Sequence, residues 1–501
     1  MGKGYVILLA GFAAVGSFLF GYDSGVMTNV IASPNFLEYF DTTPDSNIIG
    51  AINSTFNGGA AVGALMGGFF TDYVGRRYSI IIGACIATVG SAIQAGSQKL
   101  AMMLVGRIVN GWAVGILSMS VPIYQAECAH PASRGLIIGI AQQMIGLGFM
   151  CAGWIGYGCN HAPKTSTFQW RFPLAFQAVP SILLFAGMWL FPESPRHLCQ
   201  IDKYDEGLAV LQRLHATGNN DDWILQEFNE IKAAVLHEKE ITVPGWSAMF
   251  IVPQWRKRLL IACGIQVFTQ TTGINTINYY QTIMYRSLGL SGDTITLLAC
   301  CYNMVGAISI FIFITFFIDK VGRRKPLLIG TVGITLMLIC EGIVASQNED
   351  GSKKGLSGLG ILFIWMVTVI FSASFGPISW TYMSEIMPQQ IRAVGVALAT
   401  GIANWGVATM WAQVSPRALG KIGWKYYFVF VGFNICVTFP CIFLFFLETK
   451  GRTLEEMDAL FGGGVVDLSR WKKDGDILPE KTAAQHVNEV EDKTEVDTGR
   501  V

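Results

Sequence analysis

Twelve apolar runs dominate this chain, at about 6–30, 48–70, 78–96, 101–124, 135–158, 172–191, 259–284, 294–318, 326–346, 359–383, 393–415 and 425–447. Each comes close to or exceeds the roughly 20 residues that a helix needs to cross about 30 Å of hydrocarbon. In that medium every backbone N–H and C=O must be paired within the structure, which leaves helices as the form such runs can take. The pattern predicts an all-α polytopic membrane protein with twelve transmembrane helices. Charge content agrees: 14% of the 501 residues are charged, against roughly 25% in a soluble domain. Lysine plus arginine and aspartate plus glutamate both number 35, so no basic surface for nucleic acid is expected.

The first run could pass for a secretory leader, since apolar residues follow Lys3. It continues through Gly21 to Val30 without a convincing cleavage site and reads as a membrane helix. Val6 stands where myristoylation needs Ser or Thr. Arg76 and Arg77 follow the second run, Arg134 the fourth, and Lys320, Arg323, Arg324 and Lys325 the eighth. Positive residues mark the cytoplasmic side, which places both termini there; Lys353, Lys354, Arg417, Lys421 and Lys425 run against the trend. The plasma membrane is the expected location.

One long polar interval, 192–258, separates an N-terminal six-helix bundle (1–191) from a C-terminal one (259–447). Ile224, Phe228, Ile231 and Val235 make the stripe of an amphipathic helix, and Leu208, Leu211 and Leu214 hint at another. Both are expected on the cytoplasmic face. The tail, 448–501, is polar, and from Lys472 onward it has too little apolar content to pack. The 11 cysteines form no Cys-x-x-Cys pair and lie at no ligand spacing from His, so no metal or disulfide frame is expected. No nucleophile and base pair or phosphate-binding loop points to an enzyme or a cofactor. Asn53-Ser54-Thr55 fits the glycosylation pattern but falls inside the second run.

The bundles repeat one another. Asp72-Tyr73-Val74-Gly75-Arg76-Arg77 recurs as Asp319-Lys320-Val321-Gly322-Arg323-Arg324; Glu127 precedes Arg134 by seven residues, as Glu385 precedes Arg392; Glu193 after the sixth run matches Glu448 after the twelfth. All sit at cytoplasmic helix ends, where carboxylates and guanidiniums can pair within each half when that side is shut. Two related halves with a ligand site between them near the midplane are a common transporter plan.

Asp23, inside the first run, places a carboxylate where hydrocarbon is the solvent, which makes it a functional candidate by default. It lies about seven residues from the outer end of its helix, and Arg107 about six from that of the fourth. At roughly 1.5 Å per residue both lie about 10 Å below the outer surface and can meet. The second half has no such pair at the equivalent depth, since the repeat carries Arg107 to Trp365 and Asp23 to Asn275.

These motifs carry a resemblance. Gly21-Tyr22-Asp23, the two Asp-x-x-Gly-Arg-Arg loops, Val121-Pro122-Ile123-Tyr124-Gln125-Ala126-Glu127 with Arg134-Gly135, Pro192-Glu193-Ser194-Pro195-Arg196, Gly273-Ile274-Asn275, Gly376-Pro377-Ile378-Ser379-Trp380 and Glu448-Thr449-Lys450-Gly451-Arg452-Thr453 occur in order at helix ends. The region 6–453 resembles the sugar porters of the major facilitator superfamily, in their fungal monosaccharide branch. The resemblance implies the fold of that superfamily and a sugar site at Gln142, Gln270, Asn275, Tyr279, Trp380 and Asn404. It implies proton coupling at Asp23 and Arg107, and a cytoplasmic gate of Asp72, Arg76, Arg77, Glu127, Arg134, Glu193, Asp319, Arg323, Arg324, Glu385, Arg392 and Glu448. Sugar hydroxyls both donate and accept, as amide side chains do. Trp405 reads as packing.

Two positions depart from the family pattern. Thr269 replaces the first glutamine of a pair, and Ala307 replaces an asparagine, although Asn303 lies one turn earlier. The expected partners are a monosaccharide, protons and the bilayer. A facilitative sugar or polyol uniporter, and a non-transporting sugar sensor, are the alternatives.

Overall fold

The computed structural model describes residues 2–130, 134–216, 221–241, 247–348, 351–388, 391–450 and 461. The expected disorder of the tail from Lys472 onward, and motif residues Arg452 and Thr453, lie outside the described residues. In the N-terminal half the membrane elements are α1 (Gly2–Ala13) and α2 (Val15–Val30), then a short outer helix α3 (Pro34–Tyr39), α4 (Asn47–Tyr73), α5 (Arg76–Ala95), α6 (Leu100–Cys128), α7 (Arg134–Asn160), α8 (Phe168–Phe176) and α9 (Ala178–Gly187). The polar interval forms α10 (Pro195–Gln200), α11 (Tyr204–His215), α12 (Asp221–Ile241) and α13 (Ser247–Ile251). The C-terminal half holds α14 (Pro253–Thr271), α15 (Ile274–Ser287), α16 (Asp293–Phe316), α17 (Ile318–Val321), α18 (Arg324–Gln347), α19 (Lys354–Ser372), α20 (Phe375–Ile386), α21 (Arg392–Leu398), α22 (Val407–Ile422), α23 (Lys425–Phe433) and α24 (Phe439–Phe445).

Among the described residues nine helical stretches are long and apolar enough to cross a membrane. The other three expected runs are α4 and α7, of 27 residues each, and the α14–α15 pair. Several runs that read as one helix are broken. The seventh turns at Gly273, whose φ of +86° favours glycine, and α15 is kinked again at Tyr280. The tenth breaks at Ser374 between α19 and α20, ahead of Pro377. The eleventh and twelfth contain π-helical turns at Ala399–Gly406 and Asn434–Thr438, and the first of these carries Asn404. Such turns are frequent at functional sites.

Helices approach closely where glycine removes the side chain. A Cβ on Gly111 of α6 would stand 2.0 Å from the Phe56 carbonyl oxygen of α4, and one on Gly63 of α4 would stand 2.2 Å from that of Trp112. Gly21 of α2 meets Ile145 of α7 in the same way, at 2.0 Å. In lipid, where apolar surface gains nothing by association, this backbone packing supplies cohesion. The helices of the polar interval have a core of their own: Leu211, Ile224, Phe228 and Val235 are buried together with Cys199, and Leu208 and Ile231 pack against them.

Hydrogen bonds between the halves gather at the midplane and in the outer half. Thr28 donates to the Asn278 carbonyl (2.7 Å), Asn53 to the Tyr280 hydroxyl (3.1 Å), and Tyr279 to Asn57 Oδ1 (3.0 Å). Ser54 donates to Gln413 (2.7 Å), while Tyr280 also donates to the Ala412 carbonyl of its own half (2.6 Å). The bundle is therefore shut on the side away from the Arg-Arg loops in this state.

Candidate functional site

Between the halves, beneath this closure, lies a cavity of about 150 Å³ lined by Gln142, Gln270, Asn275, Tyr279, Trp380 and Asn404. All six candidate sugar residues share it. They come from α7, α14, α15, α20 and the π-helical turn, so the broken helices are what bring their side chains to one depth. Asn275 donates its amide to Gln270 Oε1, and Gln270 donates to Asn404 Oδ1. This chain fixes each amide and leaves the Asn275 oxygen and the Asn404 nitrogen as acceptor and donor for a polar guest.

The two departures are visible. The Thr269 hydroxyl is turned back to the Ile265 carbonyl of its own helix (2.8 Å), and Ala307 offers no polar atom. Asn303 lines the cavity, but its amide nitrogen ties α16 to the Phe149 carbonyl of α7 (3.2 Å). Trp405, read as packing, is 3% exposed with its ring against Phe20 and Phe56, yet it also borders the cavity. Sequence reasoning missed Asn278, Tyr302 and Thr368 in the lining. Asn278 lies three residues after Asn275, on the same face, and Tyr302 donates to its side chain (2.8 Å).

Asp23 and Arg107 are both fully buried, and they meet, though not as an ion pair of side chains. Arg107 donates to the backbone carbonyls of Asp23 and Ile52, each at 3.2 Å, and its guanidinium stands 4.3 Å from the centroid of the Phe56 ring. The Asp23 carboxylate faces the Asn110 side chain, and among the described residues Arg107 Nη2 has no hydrogen-bond partner. Arg107 also interacts electrostatically with the Tyr279 and Tyr280 hydroxyls. Tyr279 thus borders both the cavity and the buried charges.

At the helix ends that carry the Arg-Arg loops each half holds a network of one design. In the N-terminal half Arg76 Nε lies 2.9 Å from Glu127 and Nη2 3.3 Å from Asp72. Glu193 accepts the backbone N–H groups of Arg76 (3.0 Å) and Arg77 (3.1 Å), capping α5, and Ser194 donates to Glu127. In the C-terminal half Arg323 lies 2.7 Å from Glu385, Glu448 accepts the N–H groups of Arg323 (2.7 Å) and Arg324 (3.1 Å), and Thr449 takes the part of Ser194. A carboxylate at a helix N-terminus is favourable in itself. Burial pushes the Glu193 carboxyl up from its ordinary range, while the N–H groups of Ser194 and Arg77 oppose the shift. His197 accepts from Arg76 (2.9 Å), and burial and that guanidinium hold its ring below the usual range. Arg392 donates to the Met387 carbonyl (3.3 Å). The side chains of Arg134 and Asp319 lie outside the described residues.

The sequence missed a second buried carboxylate. Glu341 of α18 is 1% exposed, with the Tyr427 hydroxyl of α23 against its carboxyl and no cation beside it among the described residues. Its place in an apolar run, amid residues such as Cys340 and Ile343, was the available signal.

Comparison with known proteins bears on the family and the fold. The family model described as "Sugar (and other) transporter" matches residues 9–461. The MFS-type transporter criB of Aspergillus cristatus is 38% identical over 92% of this chain and 94% of its own. The high-affinity glucose transporter of Kluyveromyces lactis is 30% identical over 93% of this chain and 87% of its own. Among solved structures, the proton:xylose symporter XylE bound to 6-bromo-6-deoxy-D-glucose superposes with a TM-score of 0.77 at 23% identity, covering 92% of this chain and 100% of that one. That likeness shows the fold, two six-helix halves of the major facilitator type. The chain is thus a multi-pass membrane transporter, not an enzyme, and it belongs to the sugar transporter family.

Proposed function

We propose that this protein imports a monosaccharide, hexose or pentose, across the plasma membrane by alternating access, coupled to protons through Asp23 and Arg107, with both termini cytoplasmic. The observation that carries the reading is that all six candidate sugar residues line one cavity between the halves, and that Tyr279 joins this cavity to the buried Asp23 and Arg107. The cavity, at about 150 Å³, is well below the roughly 300–1,000 Å³ of drug-sized sites and suits one sugar ring.

The bundles 1–191 and 259–447 move against one another as bodies, while the linker 192–258 and the tail 448–501 stay on the cytoplasmic side. The residue networks around Arg76 and Arg323 hold the cytoplasmic helix ends of each half together and loosen when that side opens. With the outer side shut, Arg107 holds the backbone of Asp23 and not its carboxylate. This is the arrangement expected after the carboxyl has taken a proton and been released from the guanidinium. Outward opening brings the two side chains together again. The glucose transport named for the Kluyveromyces lactis relative and the proton coupling named for XylE point the same way.

The test is uptake into liposomes of purified protein under an imposed inward proton gradient, with competition by hexoses, pentoses, polyols and acidic sugars. Accumulation of a monosaccharide that a protonophore abolishes supports the reading. Equilibration without accumulation would establish a facilitator, and binding without flux a sensor.

A further inference from the structure

Glu341 has no place in the mechanism above. It lies six residues from Gln347, the outer end of α18, and so roughly 9 Å below the outer surface, the depth of Asp23 in the other half. The carboxyl is wedged between elements. A Cβ on Gly360 of α19 would stand 3.0 Å from Glu341 Oε2 and equally close to the Leu288 side chain at the end of α15. The titratable groups that face it are Tyr285 of α15 and Tyr427 of α23, with Tyr302 and Cys301 of α16 behind Tyr285. The Tyr285 hydroxyl is engaged with Gln281 (3.3 Å) and Trp365 (3.0 Å). The nearby charged groups of the outer rim, Arg286, Asp293, Lys353 and Lys354, are exposed to solvent. Phenols can donate to a carboxyl but cannot neutralise it. An ionised carboxylate in such a place, with no cation against it among the described residues, is far costlier than a neutral one.

The helix beside it is the one that shuts the outer side. Asn278, Tyr279, Tyr280 and Thr282 of α15 all bond the N-terminal half. The far end of α15 is fastened next to Glu341, where Ser357 donates to the Leu288 carbonyl (2.7 Å) and accepts from Asn348 (2.9 Å). Undocking α15 would open Glu341 to water from outside.

We infer that Glu341 is a second proton-binding site, placed in the C-terminal half, whose neutral form is a condition for α15 to dock and shut the outer side. Its ligand is a proton from the outer solution, admitted when α15 swings away and held when it returns. Ionisation of Glu341 favours the undocked state. The inference does not depend on which substrate the cavity holds.

Infrared difference spectroscopy of the full chain in lipid bilayers tests it without any transport assay. At neutral pH the wild type should show the C=O stretch of a protonated carboxyl that Glu341→Gln lacks and Asp23→Asn retains. An unchanged band in Glu341→Gln would overturn the site. Should Glu341→Gln not fold, Glu341→Asp keeps a protonatable group with a shorter reach, and the band should move; a band in the same position would overturn it. The link to the gate is read by hydrogen exchange at a pH where the band has vanished. There the α15 amides should exchange at least five-fold faster in the wild type than in Glu341→Gln. Equal exchange would refute the gating role.

Discussion

Tyr280→Phe removes one of the bonds that join the halves on the side away from the Arg-Arg loops. The ring is fully buried, so the substitution keeps its packing and removes one oxygen. That oxygen accepts from Asn53 of the opposite half at 3.1 Å and donates to the Ala412 carbonyl at 2.6 Å. Both partners are then left in a dry interface. Leaving a buried polar group unsatisfied costs about 1–3 kcal/mol, and for Asn53 this cost falls on the closed state, since water can serve its amide once the halves part, whereas the Ala412 carbonyl lies in the same half as Tyr280. A change of that size moves a two-state equilibrium by roughly 5-fold to 150-fold. Hydrogen exchange of the backbone amides in α15 and the outer part of α22 reads this directly, because both must separate from α4 and α2 on opening. They should exchange at least five-fold faster in Tyr280→Phe than in the wild type, with α5 unchanged as an internal reference. Equal exchange would refute the assignment of these bonds to the outer closure.

Gln270→Ala removes the middle of the Asn275–Gln270–Asn404 chain and should weaken equilibrium sugar binding by tenfold or more, corresponding to roughly 1.4 kcal/mol, with folding intact in thermal unfolding. Gly111→Ala drives a methyl group to 2.0 Å from the Phe56 carbonyl oxygen, so it should lower the thermal midpoint in detergent or prevent folding, in contrast to Gly158→Ala, whose added Cβ meets nothing. His215 supplies a pH dependence. Burial, and His130 at 5.5 Å between ring centroids, hold its ring at about 4, below the ordinary 6.5. The unfolded chain therefore binds this proton more readily, and stability is full above 6.5 and is lost as pH falls toward 4. Allowing for solvent screening at the ring edge, the effect is on the order of 2 kcal/mol. Hydrogen exchange in α11 and α12, divided by the intrinsic amide rate at each pH, should rise as pH falls through that window in the wild type and not in His215→Gln.

The runs of apolar residues made the twelve crossings legible, and the repeated Arg-Arg loops made the two halves legible, because length and charge position are properties of the chain itself. The carboxylates Glu193 and Glu448 were found for the same reason, although their capping of α5 and α18 needed coordinates. What the sequence hid depends on where helices break. The turn at Gly273 and the π-helical stretch at Ala399–Gly406 aim Gln270, Asn275 and Asn404 at each other, and no periodicity reports such an angle. Depth counting brought Asp23 and Arg107 to one level, but it could not foresee that the guanidinium would choose a backbone carbonyl. Asn303 had the right face to replace the amide missing at Ala307, yet it is taken up by α7. Glu341 lies in none of the repeated motifs, and a carboxylate inside an apolar run is informative in itself.

The central claim is that Asp23 couples sugar movement to protons. It is tested most directly in liposomes by comparing the wild type with Asp23→Asn in two assays, accumulation under an inward proton gradient and exchange of labelled for unlabelled sugar at equal concentrations. The account expects the wild type to do both, and Asp23→Asn to exchange sugar while failing to accumulate it. Accumulation by Asp23→Asn that still collapses with a protonophore would contradict it.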